Sequence, residues 1–432
     1  MSENKSKSKW LFLVKGYIPE PDANGNCVAK LRSELAKAGI MTDVLRVRMS
    51  KKVPDVLEDD AGRIYSADTW MRFGKLGRFE SVPKYIQALR LPRVVAVRGW
   101  HCLTNGRYAD EKAYGQNACR NIKRRLEQLC RENKYEWVIA VGNPFCTQET
   151  AASADLGGAR LAFYSLDPYS RNYSFSKKNE KKRSAEEMAV MKKAEIHFVS
   201  LEHEQDWLRE PQNEFFSKIH CLPYPNLMRQ RKVTGKIPEG LFESENINCV
   251  YLGGLLDGIR SPKRTLELFE KMMKLDSRIK LYVIGKKDGA EICSVLNRYK
   301  EKMGESMIVM DSVDFGTAEA IMNGADVLVN IGNLIPNQMP SKLLDYIATG
   351  KPIICVSELE PCNMQPYWSR YPVMFRTDAE HTSDENTAAQ AVRFCNENKG
   401  KRVEWDEIRE RFKGFVAEDV AKEFAESLGK IK

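Results

Sequence analysis

The sequence predicts an α/β chain of two tandem, doubly wound parallel-sheet domains, and three observations carry that expectation. Apolar runs of strand length alternate with stretches of helical periodicity, the pattern of parallel strands joined by covering helices. The alternation stops at Pro223, Pro225 and the polar stretch Arg229 to Glu245, which contains Gly235, Pro238 and Gly240, and then restarts. The 432 residues, 43 % of them hydrophobic, suffice for two cores of ordinary size. The expected boundaries are residues 1–227 for the first domain, 228–246 for a linker, and 247–432 for the second domain with its C-terminal helix.

The first element is a strand at Lys9 to Lys15, bounded by Gly16. A Pro- and Gly-containing loop leads to a helix whose apolar positions Val28, Leu31 and Leu35 recur at helical spacing and which Gly39 closes. Val94 to Val97 reads as a strand. Gln116 to Arg131 reads as a helix, with Ala118, Ile122, Leu126 and Leu129 on one face. Strand Trp137 to Val141, helix Thr147 to Leu156, strand Arg160 to Leu166, helix Glu180 to Ala194 and strand Ile196 to Ser200 complete the first domain. Past the break come strand Ile247 to Leu252, helix Pro262 to Leu275, strand Ile279 to Ile284 and helix Ala290 to Lys302. Strand Met307 to Met310, helix Thr317 to Asn323, strand Asp326 to Asn330, helix Lys342 to Thr349 and strand Pro352 to Val356 follow. A last helix covers about Val416 to Ser427. Pro54 to Arg78, rich in charge and in aromatics such as Tyr65, Trp70 and Phe73, reads either as an ordinary surface excursion or as a segment that covers the acceptor side or touches membrane.

Composition narrows the classes of function. No apolar run approaches the roughly 18 residues of a spanning helix. The basic N-terminus, with Lys5, Lys7 and Lys9, precedes an apolar run from Trp10 to Val14 that is shorter than a signal-peptide core, which suggests a cytoplasmic address. Eleven cysteines without a CxxC pair argue against a disulfide framework or a zinc site. His197 and His203 form no HExxH pair, and no metal is expected. A net charge of +9 suits an anionic ligand. With no RNP-type or zinc-finger motif, nucleic acid is not expected. Lys177 to Arg183 reads as a solvated face, or as peripheral contact with an anionic membrane.

Ligands of open parallel sheets bind beyond the carboxyl ends of the strands, so the loops there are the places to search. Asn24-Gly25-Asn26 precedes a helix N-terminus suited to an anion or a sugar hydroxyl. It is not a GxGxxG, and the chain also lacks a GxxxxGK[ST] loop. Gly253 and Gly254 end the restart strand at Tyr251, and Arg260 and Lys263 follow as cations for a diphosphate. From Asn337 through Pro340-Ser341-Lys342-Leu343-Leu344-Asp345 to Gly350, the pattern gives a helix that Ser341 would cap, with Asp345 one turn in to accept from ribose hydroxyls. In the first domain, Arg98, His101, Asn143 and Asp167 follow strands; Asp167 would sit at the sheet edge, and His101 would hydrogen-bond a sugar or shuttle a proton.

These motifs resemble the retaining glycosyltransferases of GT-B fold, family 4. The pieces that carry the resemblance are Asn24 to Asn26, the step Pro225-Asn226, the restart Tyr251 to Gly254 and, most specifically, Pro340-Ser-Lys-Leu-Leu-Asp-Tyr-Ile-Ala-Thr-Gly-Lys-Pro-Ile-Ile354. The resemblance implies two Rossmann-like domains with an interdomain cleft, the first binding acceptor and the second a nucleotide-diphosphate sugar. No cofactor is implied beyond that donor substrate. Carried over by position, Asp345 takes the ribose, Ser341 and Lys342 the phosphates, and Arg260 and Lys263 the departing diphosphate. Gly25, Gly253, Gly254, Asn337, Pro340 and Leu343 line the donor side, and His101 and Asp167 complete the catalytic set. Two places depart from the family pattern: its first glutamate is Asn337, and the arginine after the restart glycine is Leu255. The implied reaction keeps the configuration of the sugar through an oxocarbenium-like transition state, with a glycan or lipid-linked oligosaccharide as acceptor and surface polysaccharide biosynthesis as its setting. A partner subunit that binds nucleotide sugar with weak catalysis is the alternative, and an epimerase on the same plan is a third reading.

Overall fold

The computed structural model describes residues 9–19, 21–48, 53–68, 116–143, 145–172, 177–202, 216–230, 233–360 and 362–430. The expected strand Val94–Val97, with Arg98 and His101, lies outside the described residues. Two compact units divide the chain: Met1–Pro225 together with Ala417–Lys432, and Asn226–Val416.

Unit 1 holds an eight-stranded sheet of β1 (Lys9–Val14), β2 (Met41–Arg48), β3 (Val56–Asp59), β4 (Gly62–Asp68), β5 (Trp137–Val141), β6 (Arg160–Ser165), β7 (Ile196–Ser200) and β8 (Ile219–Leu222). Their order is β3-β4-β2-β1-β5-β6-β7-β8. All neighbours are parallel except the β3–β4 hairpin. The central strands are apolar along their whole length because helices cover both faces, and Leu11, Phe12, Leu13, Val138 and Ile139 are fully buried.

The sequence expectation missed β2, β3, β4 and β8. Charge inside β2 and β4 hid them, and in the structure that charge is paired. Arg46, buried on β2, donates to the Ser66 hydroxyl at 3.0 Å and to the Pro54 carbonyl at 2.7 Å. Asp43 accepts from the Tyr135 hydroxyl at 2.7 Å and from the Arg63 amide at 2.9 Å. Buried Arg32 on the first helix (Ala23–Lys37) reaches Asp59 at 2.9 Å and the Thr42 hydroxyl at 2.9 Å. Residues 54 to 68 are therefore a sheet edge rather than a surface excursion; the rest of that segment, with Trp70 and Phe73, lies outside the described residues.

The C-terminal helix, Ala417–Lys430, belongs to unit 1 and not to the second domain. The reason is aromatic packing: fully buried Phe424 stacks on Phe198 at 4.2 Å and on Phe12 at 6.1 Å between ring centroids.

Unit 2 follows the predicted alternation closely. Its strands are β9 (Ile247–Leu252), β10 (Leu255–Leu256), β11 (Ile279–Ile284), β12 (Lys287–Asp288), β13 (Met307–Met310), β14 (Val327–Ile331), β15 (Ile353–Ser357) and β16 (Met374–Asp378). Six form one parallel sheet in the order β13-β11-β9-β14-β15-β16, and β10 pairs with β12. Counted along the chain, the large sheet reads 3-2-1-4-5-6, the doubly wound order whose ligand crevice lies where the direction of winding reverses, between β9 and β14. The sequence reading had no counterpart for β16, whose residues include Arg376 and Asp378.

Candidate functional site

At that reversal point the two strands part. β14 pairs with β9 only at Val327 with Cys249 and Leu328 with Val250. The Leu252 amide and carbonyl, which face the β14 side, have run past the end of that ladder. The Tyr346 hydroxyl takes the place of a strand, accepting from the Leu252 amide at 2.8 Å and donating to its carbonyl at 3.0 Å. Tyr346 is fully buried, and burial drives its phenol well above the ordinary range. The hydroxyl thus anchors the helix Lys342–Ala348 to the end of β9 and holds the gap between the strands at a fixed width.

A second latch joins the loops. Half-buried Arg260 donates from Nε to the Asn333 Oδ1 at 2.8 Å and from Nη1 to the Gly254 carbonyl at 3.3 Å. The Tyr251 hydroxyl donates to the same carbonyl at 2.9 Å. Leu334 donates its amide to the Ile259 carbonyl at 2.7 Å, and the Asn333 side-chain amide donates to the Gln338 carbonyl at 2.8 Å. The loop after β9 and the loop after β14 are thereby one assembly. On its other side the loop after β9 meets the turn after β11: a Cβ on Gly285, whose φ is +141°, would lie 2.1 Å from the Gly253 carbonyl oxygen.

Beside this assembly stands the charged part of the site. Lys342 and Asp345 pair at 3.3 Å across one turn of their helix, both partly exposed. Lys263 is exposed at the first position of the helix Lys263–Leu275. Asn337 is buried at 2 % exposure, and Pro340 and Leu343 are buried as well. Ser341 does not cap the helix: it has helical torsions, and its side chain makes no capping bond. The first turn instead closes on itself, Leu343 donating its amide to the Pro340 carbonyl at 3.0 Å and Leu344 to the Ser341 carbonyl at 3.1 Å.

Unit 1 has its own reversal point, between β1 and β5, and there a carboxylate cluster forms. Asp167, just past β6, accepts on Oδ2 from Asn143 at 2.9 Å and from Asn24 at 3.3 Å. Asn24 also donates to the Gly142 carbonyl at 3.1 Å. Asn143 has a φ of +53°, a left-handed conformation that asparagine tolerates better than most residues. Gly25, expected on the donor side, is closely held by the backbone around it. It lies inside the first turn of the helix, its amide donates to Asp22 at 2.8 Å, and a Cβ there would lie 1.7 Å from the Gly16 carbonyl oxygen. Burial raises the Asp22 carboxyl, against the pull of the Gly25 amide and Lys15.

The structure therefore gathers Gly253, Gly254, Arg260 and the Asn337–Asp345 segment along the strand ends and loops of unit 2, with Lys263 at the helix that follows. Asp167 and Gly25 belong to unit 1, and His101 lies outside the described residues. The residues that sequence reasoning passed over are Tyr346, Asn333 and Asn363. The last donates to the Pro336 and Gln338 carbonyls at 3.2 and 3.1 Å, which braces the loop after β14. A tyrosine inside an amphipathic helix carries no sign that it will replace a strand.

No family model matches the chain, and no curated protein does. Solved structures do match it over nearly its whole length. Sucrose-phosphate synthase of Thermosynechococcus elongatus is 14 % identical with a TM-score of 0.58, over 98 % of this chain and 99 % of that one. A trehalose-6-phosphate protein of E. coli bound with UDP-2-fluoro glucose is 10 % identical with a TM-score of 0.57, over 98 % and 99 %. UDP-GlcNAc 2-epimerase of Methanocaldococcus jannaschii is 11 % identical with a TM-score of 0.52, over 98 % and 99 %. At these identities the likeness is one of fold, and the fold is that of the two-domain GT-B glycosyltransferases.

Proposed function

We propose that the chain is a glycosyltransferase that moves a sugar from a nucleotide-diphosphate donor to a glycan or lipid-linked oligosaccharide, with retention of configuration and without a metal, in surface polysaccharide biosynthesis. The observation that carries this reading is the pairing of Lys342 with Asp345 on a helix tied to the end of β9. A cation and a carboxylate there, at the reversal point of a doubly wound sheet, suit a ligand that brings both phosphate and ribose hydroxyls. Binding would exchange the Lys342–Asp345 contact for two ligand contacts, Lys342 on the diphosphate and Asp345 on the ribose.

Arg260 and Lys263 would then stabilise the charge that gathers on the leaving diphosphate. The two are not equivalent. Arg260 is held by Asn333 and the Gly254 carbonyl, so its charge is already positioned, whereas Lys263 is exposed and must order on binding. Asp167 in unit 1 is the proposed polar contact for a sugar hydroxyl, oriented by Asn24 and Asn143.

The test is release of free nucleoside diphosphate from a panel of UDP-, GDP- and dTDP-sugars with acceptor extracts. Release with one donor family supports transfer. Tight nucleotide binding with no release from any donor supports the second reading, a nucleotide-sugar-binding partner subunit, which the amide of Asn337 in the place of the family's glutamate favours. Absence of binding to every nucleotide refutes both.

A further inference from the structure

A carboxylate outside the residues considered so far stands at the same edge of the unit 2 sheet. Glu358 directly follows β15, and its backbone packs against the first residue past β14: a Cβ built on Gly332 would lie 3.2 Å from the Glu358 amide nitrogen. The side chain is partly buried, and its Oε1 is shut off from solvent with no hydrogen-bond partner among the described residues. Such an atom costs free energy unless something donates to it.

The charges around it narrow what that donor is. Lys263 and Arg264, at the first turn of the helix Lys263–Leu275, act on Glu358 with positive charge, and Glu267 acts with negative charge. Arg264 is engaged with Glu267 at 3.2 Å. A cationic ligand group would meet Lys263 and Arg264 as repulsion. A neutral hydroxyl donor carried beside an anion satisfies Glu358 and leaves the anion to Lys263.

We propose that Glu358 is a binding residue for the transferred sugar, its carboxylate turning from the enclosed position that leaves Oε1 without a donor among the described residues to accept from a sugar hydroxyl, while Lys263 meets the attached diphosphate. The inference rests on the donor reading of the unit 2 site and adds to it a residue that discriminates the sugar-bearing nucleotide from the free one. It also predicts that the sugar lies toward β15, on the side of the crevice opposite Gly253 and Gly254.

The experiment is calorimetric titration of the full-length wild type, Glu358→Gln and Glu358→Ala with UDP, GDP and dTDP, and with UDP-glucose, UDP-N-acetylglucosamine, GDP-mannose and dTDP-glucose. The expected result is a loss of about tenfold or more in affinity for the sugar nucleotide that wild type prefers, for both variants. Affinity for the matching free diphosphate should stay within about twofold, which also shows that the variants are folded. Equal affinity of wild type and both variants for that sugar nucleotide overturns the role of Glu358 while leaving the donor reading intact. Parallel losses for free and sugar-bearing nucleotide overturn it too, because they mark Glu358 as a structural support. Failure of wild type to bind any of the free diphosphates overturns the donor reading, and this inference with it.

Discussion

Tyr346→Phe removes one oxygen atom, and its cost follows from where that oxygen sits. The hydroxyl makes two buried hydrogen bonds, one from the Leu252 amide and one to the Leu252 carbonyl. Phenylalanine keeps the ring and leaves no cavity of consequence, so packing changes little. What is lost is the satisfaction of two backbone groups that β14 does not reach. An orphaned buried polar group costs about 1–3 kcal/mol, and partial relaxation of the helix toward β9 brings the pair to about 2–3 kcal/mol in total. That corresponds to roughly a 30- to 150-fold rise in the opening equilibrium of this part of the sheet. Hydrogen exchange of the peptide covering residues 247–256, followed by mass spectrometry, reads it at the Leu252 amide, while peptides from β11 and β13 serve as internal controls. Protection at β9 unchanged within about twofold would refute the idea that Tyr346 substitutes for a strand there.

Asp345→Ala should weaken nucleoside diphosphate binding by about tenfold and leave pyrophosphate binding nearly unchanged, since pyrophosphate has no ribose; calorimetry of the two ligands on one protein decides it. Asn143→Ala should destabilise unit 1 by about 1 kcal/mol more than Asn143→Gly, because both lose the bond to Asp167 but only alanine pays for a φ of +53°; the comparison of urea midpoints measures this. Glu358→Gln should flatten the dependence of stability on pH. Burial pushes the carboxyl up from 4.5 to about 7, against Arg264 and Lys263 and with Glu267. Its contribution is then fully present below about 4.5 and declines as pH rises, and it is gone once pH has passed through about 7. The shift sets a ceiling near 3 kcal/mol, which solvent contact lowers to about 2 kcal/mol. Melts at pH 5 and pH 8 that change in parallel for wild type and variant would refute it.

The second domain was legible because its physics is local. β9, β11, β14 and β15 are almost wholly buried, so each shows as an apolar run broken at most by a single polar residue such as Asn248, Lys280 or Asn330, and the helices between them keep their period. The first domain was less so, for a reason that can be named. β2 carries Asp43, Arg46 and Arg48, residues that argue against a buried strand until their partners are known, and those partners lie far along the chain: Tyr135 for Asp43, Ser66 for Arg46 and Asp68 for Arg48. A buried charge is invisible to any pattern of hydropathy when the hydroxyl or carboxylate that satisfies it is supplied by a distant part of the chain. The C-terminal helix shows the same limit, because its apolar face does not say which sheet will cover it, and Phe424 met Phe198 and Phe12 of unit 1.

The site divides along the same line. Asp345, Lys342, Gly253 and Gly254 could be picked out because spacing along one helix and one turn carries their relation. Arg260 could be picked out as a cation but its anchoring could not, since its acceptors include Asn333, 73 residues on. Ser341 shows that even a local rule yields to tertiary demand. A capping serine needs extended torsions, but the loop that carries Asn337 is fixed from the other side by Asn363 and Asn333, so Ser341 enters the helix already coiled. The Leu343 and Leu344 amides are thereby taken up by backbone bonds, while the Ser341 hydroxyl makes no capping bond. On the proposed donor reading, phosphate recognition at this end would fall to side chains such as Lys342 rather than to the amides of Leu343 and Leu344. Lys342→Met should accordingly lower diphosphate affinity by an amount that falls with added salt, whereas recognition by amides alone would leave the variant close to wild type at every ionic strength.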